Sequence, residues 1–212
     1  MKKRIYFVRH GESEGNVGNL RGHPDHPLTE RGRRQAQFIA ERCVTLPIEA
    51  MVVSTMLRAQ DTASYIAEKL RLVPSYSDLL VEVQGPSEFR GMARDFPGAE
   101  AYEQERHAHF EDPLWRFSDA ENFEDVKARA LAALDLLAAR DEEHILVVTH
   151  GFFMRFIIAC VVAGRDLTAK EGLDFIRTFH MENTGLSVLG YDASKQPKPW
   201  WLWVWNDHAH LA

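Results

Sequence analysis

Apolar residues along the chain alternate between short unbroken runs and stripes at helical spacing. Ile5-Tyr6-Phe7-Val8, Ala50-Met51-Val52-Val53 and Ile145-Leu146-Val147-Val148 are continuous apolar runs bounded by polar residues. That is the pattern of strands buried on both faces. Helical stripes lie between them. Thr29 can cap a helix running to about Cys43, with Ala36, Ile39, Ala40 and Cys43 on one face. A second helix follows Ser54, with Ala59, Thr62, Ala63, Ile66, Ala67 and Leu70 in register, and Phe123, Val126, Ala130, Leu134 and Leu137 mark a third. An apolar helix follows Gly151, and Leu79-Leu80-Val81 reads as a short strand. This order predicts an α/β fold: a three-layer, doubly wound, mostly parallel sheet with helices on both faces.

Two segments depart from the pattern. Residues 84–120 lack periodicity and mix Pro86, Pro97 and Pro113 with aromatic side chains and with Arg90, Arg94 and Arg106. A packed irregular loop and a partial lid over a site both fit such a segment. At the other end, Trp200-Trp201-Leu202-Trp203-Val204-Trp205 reads as a core or edge strand, with Trp201, Trp203 and Trp205 on one face. Its aromatic character leaves oligomerisation open.

Composition narrows the class. A length of 212 residues, 45% hydrophobic and 26% charged, suits one globular domain spanning 1–212. The formal net charge of −6 provides no basic field for nucleic acid. The apolar stretch Phe152–Ala163 is interrupted by Arg155 and falls short of the ~20 residues a membrane span needs. Met1-Lys2-Lys3-Arg4 leads into an apolar run too short for a secretory signal, and Cys43 and Cys160 read as small buried hydrophobes rather than a disulfide. A cytoplasmic protein is expected, with neither nucleic-acid nor membrane partners.

The candidate chemistry lies where strands end. Ile5–Val8 runs into Arg9-His10-Gly11-Glu12, and Ile145–Val148 runs into Thr149-His150-Gly151. In a doubly wound sheet ligands bind beyond the carboxyl ends of the strands, so His10, Ser54 and His150 should converge. A phosphate monoester resists attack because its dianion repels nucleophiles; catalysis needs fixed cations, an in-line nucleophile and an acid for the leaving oxygen. His10 can attack, Arg9 and Arg58 can supply forked permanent charge, and His150 can add a donor. Gly11 and Gly151 allow close backbone approach, and the start of the helix at Gly151 favours phosphate. His23 and His26 read as a solvated loop rather than metal ligands, and no metal or organic cofactor is expected.

Arg9-His10-Gly11-Glu12 with Ser13 and Asn16, then Arg21-Gly22, Pro27-Leu28-Thr29 and Gly32, then Ser54 and Arg58, then His150-Gly151, resemble in order the blocks of the histidine phosphatase superfamily, the group that includes cofactor-dependent phosphoglycerate mutase. The resemblance frames residues 4–160 and implies a phosphoglycerate mutase-like fold with a variable insertion, here about 84–120, covering the site. It implies phosphate or substrate contacts for Asn16, Arg21 and Gly22, and a general acid after a Leu-rich strand end. Glu82 is favoured for that role, with Glu88 the alternative because Gly85 follows Glu82 more closely than the family pattern has it. The expected activity is metal-independent hydrolysis of a small phosphorylated substrate through a phosphohistidine on His10. The alternatives are a phosphoglycerate-type mutase, for which Arg90, Arg94 and Arg106 do not form the usual basic cluster, and a non-catalytic module that binds phosphorylated ligands.

Overall fold

The computed structural model describes residues 2–19, 23–109 and 111–211. Its strands are β1 (Lys2–Arg9), β2 (Ala50–Ser54), β3 (Ser75–Ser77), β4 (His144–Thr149), β5 (Leu186–Asp192) and β6 (Trp200–Asp207). Its helices are α1 (Glu14–Val17), α2 (Glu30–Val44), α3 (Leu57–Leu70), α4 (Ala99–Ala108), α5 (Phe123–Ala139), α6 (Gly151–Ala163) and α7 (Ala169–Thr178).

The strands form one sheet in the order β3-β2-β4-β1-β5-β6. The pairs β3/β2, β2/β4 and β4/β1 are parallel, whereas β5 and β6 run antiparallel at one edge. Central strands alternate between two cores. Ile5, Phe7, Val52, Ile145 and Val147 pack toward α5 and α6, while Tyr6, Val8, Met51, Val53, Leu146 and Val148 pack toward α2 and α3. Burial on both faces is why these strands read as unbroken apolar runs. Thr29 caps α2 as expected, accepting from the Gly32 amide at 3.0 Å.

Several local expectations are revised. Asp78–Leu80 is a turn of 3-10 helix, and the short edge strand lies just before it, at β3. The segment 84–120 contains helix α4, whose Tyr102 packs with Phe89, Phe96 and Phe117 in tilted and edge-on contacts with ring centroids 4.5–5.7 Å apart. In β6 the three tryptophans do not share a face. Leu189 pairs with Leu202 but Val188 pairs with Val204, so a bulge at Trp203 shifts the alternation. Trp205 therefore packs on the core with Trp200 and Leu202, whereas Trp203 is 55% exposed beneath the Arg4 guanidinium. Both cysteines are buried, and burial pushes each thiol up to about 12.

Candidate active site

β1, β2 and β4 end side by side, and their ends carry His10, Ser54 and His150. Pairing of Val8 with Val148 and Arg9 with Thr149 sets the two histidines abreast, with ring centroids 5.1 Å apart. The His10 loop is clamped from behind. A Cβ on Gly11 would meet the Gly32 carbonyl oxygen at 2.5 Å, so the two backbones touch. The Gly11 amide donates to Thr62 Oγ1 at 3.0 Å, and its carbonyl lies 2.7 Å from His10 Nδ1. That bond places the ring proton on Nδ1 and leaves a lone pair on Nε2. Asn183 Nδ2 donates to the His10 carbonyl at 2.9 Å. His10 is 2% exposed. Burial, then Arg58 and Arg9, hold its pKa well below the usual histidine range, so the ring is neutral and nucleophilic at neutral pH.

Arg58, in the first turn of α3, donates from Nε to His10 Nε2 at 3.1 Å and from Nη1 to the His23 carbonyl at 3.1 Å. Arg9 donates to the Met181 carbonyl, while its buried Nε has no partner. Burial lowers the pKa of both guanidiniums, opposed mainly by Glu82, and both remain charged. His150 is fully buried; burial first and His10 second push its pKa well below the usual value. Its Nε2 lies 2.8 Å from Ser54 Oγ and its buried Nδ1 has no partner. If the Ser54 hydroxyl donates to Nε2, the proton sits on Nδ1, giving an uncommitted donor beside His10.

The pocket above these residues has a volume of about 340 Å³. Among the described residues, Arg9, Arg58, Arg94 and Arg155 line it, against a single carboxyl group, that of Glu82. Glu82 is half-buried and accepts from the amides of Phe152 at 3.2 Å and Phe153 at 2.9 Å, at the start of α6. Its approach is fixed by Arg129, which donates to the carbonyls of Leu79 at 3.2 Å and Val81 at 2.7 Å. Glu88 is exposed and lines no part of the pocket. Glu12 is turned away: its carboxyl accepts from Thr29 and Arg31.

Asn16 and Gly151 line the pocket. Gly151 is needed for close approach, since a Cβ there would meet Arg9 Nε at 2.9 Å. The Gly11 amide is committed to Thr62, and Gly11, like His150, lies behind the pocket lining. The helix start is also used differently, because Glu82 occupies the amides of Phe152 and Phe153. His26 is not solvated: it is 8% exposed, lines the pocket and has an unpartnered Nε2, whereas His23 is half-buried beside Asp25. Among the described residues no cluster of His, Cys, Asp or Glu is arranged to hold a metal. Arg21 and Gly22 lie outside the described residues.

Ser54 converges with His10 and His150 at the strand ends, and the structure adds its contact with His150 Nε2. Arg155 reads in the sequence only as an interruption of an apolar helix, and that interruption is the available signal: a charged side chain in a buried helix needs polar partners. It spans to the carbonyls of Gly151, Ile176 and Phe179 and borders the pocket.

The model of the histidine phosphatase superfamily (branch 1) matches residues 5–207. The chain belongs to the histidine phosphatase superfamily. Within it, the chain is 30% identical over 217 residues to a probable phosphoglycerate mutase GpmB of Proteus mirabilis, covering 98% of this chain and 94% of that protein. Among solved histidine phosphatase-like structures, YhfR of Bacillus stearothermophilus superposes with a TM-score of 0.82 at 27% identity, covering 99% of this chain and 100% of the other. A mycobacterial glucosyl-3-phosphoglycerate phosphatase in complex with VO3 superposes with a TM-score of 0.74 at 28% identity, covering 96% and 99%. These similarities support an enzyme of phosphatase or mutase type and confirm the phosphoglycerate mutase-like α/β architecture.

Proposed function

We propose that the protein is a phosphomonoester hydrolase working through a phosphohistidine on His10. The observation that carries this reading is the state of His10: buried and neutral, with Nδ1–H held by the Gly11 carbonyl and Nε2 turned to Arg58. When a phosphate monoester enters, Arg58 can transfer its donors from Nε2 to the phosphoryl oxygens. Arg9 Nε and His150 Nδ1, buried without partners, supply further donors. The Nε2 lone pair attacks phosphorus as the bond to the ester oxygen breaks, and Glu82 gives its proton to that oxygen. Glu82 then takes a proton from water, whose oxygen attacks phosphorus as the N–P bond breaks, releasing phosphate and restoring the neutral ring.

Hydrolysis is favoured over a phosphoglycerate-type mutase by the fate of the insertion's arginines. Only Arg94 borders the catalytic pocket; Arg90 holds Gln84 and Arg106 pairs with Glu103. A non-catalytic binding module fits less well, because nucleophile, cations and carboxyl group share one pocket. The whole chain acts as one domain, with residues 84–120 roofing the site, and it works in the cytoplasm on a small phosphorylated substrate. No described helix is long and apolar enough to cross a membrane. Incubation with p-nitrophenyl phosphate in EDTA, with and without His10→Ala, tests the reading: release lost in the variant is expected, and release retained by the variant overturns it. Incubation with 3-phosphoglycerate and a trace of the bisphosphate tests the mutase alternative, which requires isomerisation faster than phosphate release.

A further inference from the structure

Beside the catalytic pocket lies a second, larger chamber of about 630 Å³. The two share Glu82, Arg94, Phe152 and Arg155 on their linings, so the chamber opens where the ester oxygen of a bound substrate would lie. Its floor is carbon: Val126 of α5, Phe156 of α6, and Leu173 and Ile176 of α7. Its roof includes Trp115 and Phe117 of the insertion.

Most of the polar side chains on its walls are engaged with the protein itself; at the mouth shared with the catalytic pocket, Arg94 donates to the Gly15 carbonyl at 3.3 Å and Arg155 to the carbonyls of Gly151, Ile176 and Phe179. Glu121 takes Nε and Nη2 of Arg129, each at 2.7 Å. Asn122 caps α5, accepting from the Asp125 amide at 2.9 Å and donating to the Leu114 carbonyl at 3.2 Å. Gln84 donates to the Glu82 carbonyl and accepts from Arg90. Asp112 accepts from the Leu114 amide at 3.0 Å, and Arg106 pairs with Glu103 at 2.6 Å. His109 stacks on Trp115 with ring centroids 5.1 Å apart. A polyhydroxylated leaving group entering here gives up hydrogen bonds to water and finds these partners taken. An apolar group gives up nothing of the kind and gains burial.

Resting on the hydrolase reading above, we propose that this chamber receives the leaving group and that the preferred substrates are phosphomonoesters of bulky, largely apolar alcohols rather than of sugars or three-carbon acids. The n-alkyl phosphates from ethyl to octyl test this, because leaving-group acidity stays nearly constant along the series while apolar surface grows. Full burial of each methylene corresponds to roughly fourfold, so kcat/KM should climb by about tenfold or more from ethyl to octyl phosphate. The matching alkylphosphonates, which cannot be hydrolysed, should tighten as competitive ligands along the same series. Leu173→Trp, which fills the chamber, and Leu173→Asp, which charges it, should each lower the octyl-to-ethyl ratio by about tenfold. A flat or falling series in the wild type, or an unchanged ratio in both folded variants, overturns the proposal. If no ester is turned over but phosphonate affinity still climbs with chain length, the hydrolase reading fails and the chamber stands as an apolar binding site.

Discussion

Ser54→Ala isolates one link of the site. In the wild type, Ser54 Oγ lies 2.8 Å from His150 Nε2, both groups are fully buried, and His150 Nδ1 has no protein partner. Removing the hydroxyl does two things. It leaves a buried ring nitrogen unsatisfied, which costs roughly 1–3 kcal/mol. It also lets the ring relax by moving its proton to Nε2, which removes the donor from Nδ1, the nitrogen free to meet a phosphoryl oxygen. Loss of one preorganised donor costs about 10²–10³ in kcat. The ring can still populate the active tautomer part of the time, so the expected fall in kcat is roughly tenfold to a hundredfold, or about 1.4–2.7 kcal/mol of transition-state stabilisation. KM should change less, because Arg9 and Arg58 remain to bind the ground-state phosphate. The assay is steady-state hydrolysis of p-nitrophenyl phosphate beside a thermal melt of the same preparation. A folded Ser54→Ala protein with kcat within twofold of wild type would refute the reasoning and reduce Ser54 to a packing residue.

Further outcomes follow from the same geometry. Glu82→Gln should lower kcat by about 10²–10³ and give a stoichiometric burst of nitrophenol, because breakdown of the phosphoenzyme slows more than its formation with so good a leaving group; Glu88→Gln should leave turnover unchanged, and the reverse result would transfer the acid role to Glu88. Burial holds His10 and His150 below their usual pKa, so the unfolded chain binds more protons than the folded one once pH drops under about 6.5. Stability should therefore be full above that pH and decline as pH falls toward the depressed folded values; a Tm independent of pH between 7.5 and 5, or an equal slope in His10→Asn, would contradict the assignment. A Cβ on Gly32 would lie 1.9 Å from the Glu12 carbonyl oxygen, so Gly32→Ala should cost about 1–3 kcal/mol or more and lower the Tm; an unchanged melt would show that the Glu12 loop and α2 are not clamped together. Cys43 and Cys160 are buried with thiols pushed up to about 12, so N-ethylmaleimide should leave activity intact, and rapid inactivation would show that one of them is accessible.

What the sequence discloses depends on how local the physical signal is. The strands β1, β2 and β4 are legible because burial on both faces writes them as unbroken apolar runs, and the meeting of His10 with His150 follows from their position at the ends of parallel strands. Thr29 is legible as a cap because capping is decided within four residues. The bulge at Trp203 is not, because it arises from pairing with β5 and reverses the face of Trp205 without any mark in the local pattern. Helix α4 is masked by the prolines and arginines around it; the aromatic cluster of Phe89, Phe96, Tyr102 and Phe117 that supports it is a tertiary fact. The choice between Glu82 and Glu88 rests likewise on contacts distant in sequence. Arg129 and the amides of Phe152 and Phe153 bring Glu82 to the pocket, and nothing in the spacing of Val81 to Gly85 announces them. His26 illustrates the opposite error: a Pro-Asp-His-Pro stretch looks solvated, yet packing against Gly15 buries the ring.

The central claim is that His10 itself carries the phosphoryl group, and rapid quenching into base, where phosphohistidine survives, tests it most directly. Single-turnover reaction with a good phosphate monoester, followed by intact mass and peptide mapping, should show one added phosphoryl group on the peptide containing His10, formed and lost at rates compatible with turnover and absent from His10→Ala. Steady hydrolysis with no phosphoryl group ever found on His10, or undiminished turnover by His10→Ala, would contradict the account.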